Sequence, residues 1–210
     1  MSYILLADDH PLFRHALRSI INWKHPQLAI REAETLAGAR AILTNDSDVA
    51  LILLDLKMSD CGGFTGLLSM KSEYPQIPTA IVSASADTAT VKSAMALGAA
   101  GFIPKSAKRA DIAKAIATVL AGDVWLPSSI VPNELPQHVD AIASLTPAQL
   151  RILLCLQRGL RNKEIAHEMG VAEKTVKNYM GVMFLKLGVS SRTQAVIVAQ
   201  QLALEQGISA

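Results

Sequence analysis

Short apolar runs that end in polar residues constrain the fold of this chain more than any other feature. Between these runs lie segments such as residues 12–21, in which apolar side chains recur every three or four positions and form one helical stripe. Continuous apolar strands that alternate with helices are typical of a parallel sheet covered on both faces. With a shorter strand near residues 29–32, the pattern predicts an α/β fold with a doubly wound, five-stranded parallel sheet. The four longer runs end at Leu6, Leu54, Val82 and Ile103.

The pattern changes after residue 121. Residues 122–143 contain three prolines with polar residues between them, and we interpret this stretch as a linker. Residues 144–210 are helical in pattern throughout, and Thr146-Pro147-Ala148-Gln149 predicts a capping box with proline at the first helical position. The chain is therefore predicted to consist of an α/β domain, residues 1–121, and a small all-α domain, residues 144–210.

Composition excludes several classes of protein. Half of the 210 residues are apolar, which argues against disorder, and no apolar stretch reaches the ~20 residues of a membrane span. The two cysteines lie far apart, as expected in a reducing compartment, and the first residues lack the pattern of a signal peptide. We therefore expect a cytoplasmic protein with no membrane contact. Residues 144–210 carry 8 basic against 4 acidic side chains, which favours a polyanionic partner.

Polar side chains follow the ends of the four longer predicted strands. In a parallel α/β sheet the carboxyl ends of the strands meet at one edge, where ligands bind, so these groups should share one crevice. Three carboxylates that lie close together repel each other, and Mg²⁺ relieves the repulsion because it prefers oxygen ligands. A lysine and a hydroxyl there would serve the oxygens of a phosphoryl group. The strand-end residues are Asp8, Asp9, Asp55, Ser83 and Lys105.

The residues around these positions resemble the receiver motifs of response regulators, over roughly residues 1–121. Ser59 departs from the pattern, because the family often has proline there. The motifs that carry the resemblance are Ala7-Asp8-Asp9-His10-Pro11-Leu12-Phe13-Arg14, Leu54-Asp55-Leu56-Lys57-Met58, Ser83-Ala84 and Gly101-Phe102-Ile103-Pro104-Lys105.

The resemblance implies a flavodoxin-like fold and a role for each pocket residue. Asp55 would accept a phosphoryl group from a sensor histidine kinase. Asp9, Asp55 and the backbone carbonyl of Lys57 would bind Mg²⁺, with Asp8 assisting through water. Ser83 and Phe102 occupy the positions of the hydroxyl and aromatic switch residues of the family.

The second half of the all-α domain has the pattern of a helix-turn-helix. Val176, Met180, Met183 and Leu187 form a core stripe on one predicted helix. The opposite side then faces solvent, and a helix of this kind fits the major groove of DNA. Gly181 leaves one place on that side without a side chain. The other residues of the outward side are Lys174, Thr175, Lys177 and Asn178.

Residues 145–199 resemble the DNA-binding domain of LuxR-type (NarL/FixJ) regulators. We predict that Lys177 and Asn178 read base edges, whereas Thr175, Lys163 and Arg192 hold phosphates of double-stranded DNA. Tyr179 departs from the family, which often has histidine there. The motifs are Leu145-Thr146, Gly159-Leu160-Arg161-Asn162-Lys163-Glu164-Ile165-Ala166, Thr175-Val176-Lys177, Lys186-Leu187-Gly188-Val189 and Ser191-Arg192-Thr193-Gln194-Ala195.

The last helix allows two interpretations. Ala195, Val198, Ala199 and Leu202 form an apolar stripe on it. By the resemblance this helix makes a homodimer when the protein is phosphorylated, while the alternative is that the stripe completes the core of the domain. The resemblance also implies that the resting receiver packs on the C-terminal domain and hinders the DNA-reading helix.

Two other functions remain open at this point. A phosphohydrolase that uses Asp55 is disfavoured because Lys57, and not a second acid, follows two residues later. A receiver that works without phosphate is disfavoured by the complete set of strand-end residues. The sequence therefore predicts a DNA-binding transcription regulator, controlled by phosphorylation of Asp55, that is not an enzyme.

Overall fold

The computed structural model describes residues 2–45, 48–127 and 139–204. Its N-terminal part has a parallel sheet with the strand order β2-β1-β3-β6-β7. A small antiparallel hairpin, β4 and β5, follows the third strand. The strands are β1 (Tyr3–Ala7), β2 (Ala29–Ala33), β3 (Val49–Asp55), β4 (Lys57–Met58), β5 (Cys61–Gly62), β6 (Thr79–Ser83) and β7 (Gly101–Pro104).

Helices cover both faces of this sheet, which confirms the doubly wound α/β fold. On one face, Ile4, Leu6 and Leu53 pack with apolar residues of the first and fifth helices. On the other face, Leu5 and Leu54 pack with the second, third and fourth helices. Alternate residues of each strand therefore enter two different cores. The helices are α1 (Pro11–Lys24), α2 (Leu36–Asn45), α3 (Thr65–Glu73), α4 (Thr88–Ala96) and α5 (Arg109–Leu120).

The strand register brings the polar strand-end residues to one edge. Ala7 pairs with Leu54, Asp55 with Val82, and Ser83 with Pro104. Each polar residue therefore lies at, or directly after, the carboxyl end of a neighbouring strand. This is the edge at which ligands bind in such sheets.

The C-terminal part is helical, as predicted. Thr146 forms the expected capping box with Gln149. Gly170 and Gly188 end the eighth and ninth helices with φ of 66°, a left-handed conformation that favours glycine. Val176, Met183 and other members of the predicted stripe are buried. The helices are α6 (Val139–Ala143), α7 (Pro147–Gln157), α8 (Asn162–Met169), α9 (Glu173–Leu187) and α10 (Arg192–Leu204).

The two parts of the chain pack against each other through α3 and α7, and α4 also contacts α6. A cavity of about 520 Å³ lies between them. The outward residues Lys174, Lys177 and Asn178 of α9 are exposed in this arrangement. The receiver therefore packs on the C-terminal part, as expected, but it leaves the DNA-reading side of α9 exposed, so it does not hinder this helix by covering it. The reason is that the packed surface is on α7.

No single helix in the described part of the chain is long and apolar enough to cross a membrane. In the same residues, α9 and the first part of α10 have the length and composition of a span only when they are taken together, and they are bent by 59° at their junction.

Candidate functional site

Asp55 lies at the end of β3 and is 2 % exposed. Its Oδ1 accepts a hydrogen bond from the backbone N–H of Lys57 at 3.1 Å. Its Oδ2 accepts one from Lys105 Nζ at 2.7 Å. Burial raises the pKa of the Asp55 carboxyl, and the hydrogen bond from Lys105 opposes that rise. Asp55 is thus a buried carboxylate with one cation already beside it.

Asp8 and Asp9 complete an acidic pocket beside Asp55. Asp8 is 2 % exposed, and its Oδ2 lies 2.8 Å from Lys105 Nζ. Asp9 Oδ1 lies 2.7 Å from Nδ1 of His10. Ligand atoms of Asp8, Asp9, His10 and Asp55 all lie within 4.8 Å of one another. The structure therefore brings together the three predicted carboxylates at a spacing that suits a shared cation.

The donor set fits Mg²⁺. Within the described residues, Asp8 Oδ2 and Asp9 Oδ1 are buried without a well-aligned hydrogen-bond donor, although Lys105 and His10 approach them as ion pairs. Buried carboxylate oxygens of this kind are the ligands that a hard divalent cation prefers. The backbone carbonyl of Lys57 remains a predicted ligand, since the contact seen for Lys57 is its N–H on Asp55.

Ser83 ends β6, the strand next to β3, and Phe102 lies on β7, the next strand along the sheet. Ser83 is 1 % exposed, and its Oγ accepts a hydrogen bond from the N–H of Ser85 at 3.2 Å. Its carbonyl accepts one from the N–H of Lys105 at 2.7 Å, which ties the two strand ends together. Phe102 is fully buried in the core shared with α3 and α4. The role of these two residues as a switch stays a prediction.

His10 is a pocket residue that the sequence reasoning did not assign. It is the residue before α1, and its imidazole lies at the mouth of the pocket with 64 % of the side chain exposed. Its position directly after the Asp8-Asp9 pair was the available signal.

The second candidate site is the outward side of α9. Lys174, Lys177 and Asn178 are exposed, and Thr175 is half-buried. Lys177 Nζ lies 3.0 Å from Glu173 Oε1, one helical turn earlier. Among the described residues, nothing outside the neighbouring backbone of α9 lies within 4 Å of the place where a side chain at Gly181 would begin, so this side is open. The shape and charge suit the major groove of DNA.

Arg192 is partly engaged inside its own domain. Its guanidinium donates hydrogen bonds to the carbonyl of Leu160 and, at 3.5 Å, to Asn162 Oδ1. Arg192 therefore joins the start of α10 to the start of α8, and its phosphate contact stays a prediction. Arg192 lines a shallow groove together with Lys163 and Arg161. Arg161 is an exposed cation that was not among the predicted DNA contacts.

The apolar stripe on α10 lies in the domain core. Ala195, Val198 and Ala199 are buried within the chain, where α10 packs on α7. The side chain of Leu202 lies outside the described residues. This supports the interpretation that the stripe completes the core, so the stripe itself is not available to a second copy. Ile197, 47 % exposed, lies elsewhere on the helix.

Two family models match this chain, one over each part. Residues 4–117 match the response regulator receiver domain, and residues 143–199 match the bacterial regulatory proteins of the luxR family. A glycerol metabolism activator from Pseudomonas putida is 37% identical over 210 residues, which span 95% of each chain. The DNA-binding transcriptional activator DevR/DosR from Mycobacterium tuberculosis is 31% identical, over 96% of this chain and 95% of that one.

A solved structure shows the same relationship. The LuxR family DNA-binding response regulator from Silicibacter pomeroyi aligns with a TM-score of 0.55 and 32% sequence identity. The alignment covers 61% of this chain and 99% of that one.

Proposed function

Since this chain belongs to the LuxR family of response regulators, which are DNA-binding transcription regulators of two-component systems, we propose that Asp55 is its phosphate acceptor. The observation that carries the proposal is the buried position of Asp55 between Lys105 and the Asp8-Asp9 pair. Asp55 is the carboxylate at the end of the central strand β3, close to Asp8, Asp9 and Lys105.

The chemistry at Asp55 follows from its neighbours. A carboxylate oxygen of Asp55 attacks the phosphorus of a phosphohistidine on a sensor kinase, the P–N bond breaks, and the imidazole of the kinase leaves. The amino group of Lys105 would neutralise one phosphoryl oxygen, and the Ser83 hydroxyl would donate to another. Bound Mg²⁺, held by Asp8, Asp9 and Asp55, would supply charge for the remaining oxygens.

The proposed readout is the DNA-binding side of α9. Lys177 and Asn178 would contact base edges, because they are exposed on the outward side of the helix. Lys163, Lys174, Thr175 and Arg192 would contact phosphates, which position the protein without reading sequence. The luxR-family match over residues 143–199 supports this assignment.

Two contacts connect the proposed phosphate site to the C-terminal part. Asp55 is followed directly by the β4–β5 hairpin and then by α3, which packs on α7. Ser83 ends β6, and the next helix, α4, contacts α6. We infer that phosphate on Asp55 pulls Ser83 inward, lets Phe102 follow and loosens the packing of the two parts. Two copies of the chain would then pair on DNA as a homodimer.

The test of this function begins with the site of modification. The protein is treated with acetyl phosphate and Mg²⁺, digested, and the labelled peptide identified by mass spectrometry. We expect the label on the peptide that contains residue 55, and stable label rather than rapid turnover of acetyl phosphate. Label elsewhere, or continuous hydrolysis without label, would contradict the proposal and favour the phosphohydrolase alternative.

A further inference from the structure

The imidazole of His10 lies among the three carboxylates of the acidic pocket. Its Nδ1 is 2.7 Å from Asp9 Oδ1, 3.3 Å from Asp8 Oδ1 and 3.7 Å from Asp55 Oδ2. Lys105 Nζ lies 2.8 Å from Asp8 Oδ2 and 2.7 Å from Asp55 Oδ2. It also lies 3.4 Å from His10 Nδ1. The pocket thus holds two side-chain nitrogen atoms, 3.4 Å apart, among its carboxylates.

The spacing of these atoms is close to the spacing of ligands on one shared metal ion. Metals such as Mg²⁺ and Zn²⁺ bind their ligands at about 2.0–2.2 Å, so two ligand atoms on one ion lie at most about 4.4 Å apart. The ligand atoms of Asp8, Asp9, His10 and Asp55 lie within 4.8 Å of one another, so a small movement would bring all four to one ion. The imidazole therefore already lies close enough to bind the same ion as the carboxylates after a small movement.

We propose that His10 Nδ1 is a further protein ligand of the pocket cation, beside the three carboxylates, and that it makes the site accept imidazole-binding transition metals such as Ni²⁺ and Zn²⁺. Carboxylate and water ligands suit Mg²⁺, whereas imidazole suits Zn²⁺ and Ni²⁺. Three carboxylates and an imidazole consequently favour these metals over Mg²⁺ more strongly than the carboxylates alone. The proposal rests on the proposed function, because it assumes that the acidic pocket binds a divalent cation.

A second role for the same ring makes the opposite prediction. If His10 only donated a hydrogen bond to Asp9, it would occupy the place of the cation and compete with every metal. Removing the ring would then tighten the binding of all divalent cations alike. If His10 is a ligand, removing it weakens Ni²⁺ and leaves Mg²⁺ almost unchanged. The sign of the change in affinity separates the two roles.

The variant His10→Phe removes the nitrogen and keeps a planar ring. The His10 side chain makes no capping hydrogen bond to α1 and is 64 % exposed, so the fold should tolerate the change. The backbone N–H at position 10, which donates to Asp8 Oδ1 at 2.8 Å, is retained. His15→Phe is the matched control, because His15 is an exposed residue of α1, one residue after Arg14, and it pairs with Arg18 outside the pocket.

Calorimetric titration of tag-free protein with Ni²⁺ or Mg²⁺ gives the first readout. We expect His10→Phe to weaken Ni²⁺ by about tenfold or more, since even the loss of an outer partner of a ligand costs about 10–100-fold. His15→Phe should bind both metals like the original protein. Equal Ni²⁺ affinity in His10→Phe, or tighter binding of both metals, would overturn the proposal.

Pulsed electron paramagnetic resonance with Mn²⁺ gives a readout that does not depend on affinity. The original chain and His15→Phe should show ¹⁴N coupling to the bound Mn²⁺, and His10→Phe should lack it. Bound Mn²⁺ without ¹⁴N coupling would overturn the ligand role of His10 and leave the proposed function intact. If neither metal bound and Asp55 could not be phosphorylated, the proposed function would fail as well.

Discussion

Lys105 Nζ lies 2.7 Å from Asp55 Oδ2, although the two residues are 50 positions apart in the sequence. The contact joins the end of β7 to the end of β3 across the intervening strand β6. It places a positive charge beside the carboxylate that we assign as phosphate acceptor, where that charge can meet an incoming phosphoryl oxygen.

Asp55→Asn should abolish labelling by acetyl phosphate with Mg²⁺, because an amide oxygen does not form the acyl phosphate. Phosphate-affinity gel electrophoresis measures the labelled fraction. Asp111→Asn is the control, since Asp111 is an exposed acid in the first turn of α5. The control should label like the original protein. Full labelling of Asp55→Asn would remove the site assignment.

The same substitution should raise the melting temperature of the metal-free protein. Burial raises the pKa of the Asp55 carboxyl, so the ionised form costs free energy of folding that grows as the pH rises through that pKa. Asn carries no charge and avoids this cost. Thermal unfolding at pH 7.5 in chelator should show an increase, at roughly 2–4 °C per kcal/mol for a chain of this size.

The pH dependence is the check on that cause. The difference in melting temperature should shrink in acid, where Asp55 is protonated in both the native and the unfolded chain. Added Mg²⁺ should stabilise the original protein more than Asp55→Asn. An equal or lower melting temperature for the variant at pH 7.5 would show that the Lys105 contact outweighs the cost of burial.

The sheet was predictable because its strands are continuous apolar runs, and β2 begins at Ala29 as expected. The pocket followed from the same pattern, since parallel strand ends share one edge. The β4–β5 hairpin was not predictable, because its strands have two residues each and carry no periodicity. His10 was missed for a related reason. It precedes α1, so helical periodicity does not predict the direction of its side chain.

The linker shows the same limit. Residues 122–143 were interpreted as a linker, and within this range Trp125 forms a parallel bridge with Gly101 at the edge of the sheet, and α6 lies at Val139–Ala143. Prolines and polar residues signal irregular backbone but not what it packs against. Likewise, sequence cannot show that α7 is the surface that meets the receiver.

Lys177→Ala should weaken specific DNA binding by ~1–3 kcal/mol and relax the sequence preference, because Lys177 is predicted to contact base edges. Glu173→Gln is the matched control. It removes the ion pair with Lys177 at 3.0 Å and leaves the amino group in place, so it should bind at least as well as the original protein. Fluorescence anisotropy on specific and random duplexes measures both effects. Unchanged specific binding by Lys177→Ala would refute the groove assignment.

Lys163→Ala and Arg192→Ala should weaken binding to all DNA sequences alike and lower the salt slope by about one unit each. Arg192→Ala should also lower the melting temperature, because Arg192 hydrogen-bonds the carbonyl of Leu160, whereas exposed Lys163 should leave it unchanged. Binding titrations at several salt concentrations, with thermal unfolding, separate the two roles. A salt slope unaffected by Lys163→Ala would exclude it from the phosphate contacts.

The most direct test of the account is the DNA affinity of the full-length chain with and without phosphate on Asp55. One operator duplex is titrated at fixed salt, over concentrations that span dimer formation, with resting protein, phosphorylated protein and phosphorylated Ser83→Ala. We expect phosphorylation to raise affinity by ~10–100-fold, which corresponds to ~1.4–2.8 kcal/mol of coupling. Ser83→Ala should accept phosphate and show a smaller rise. Equal affinity of the resting and phosphorylated protein would contradict control of DNA binding by Asp55.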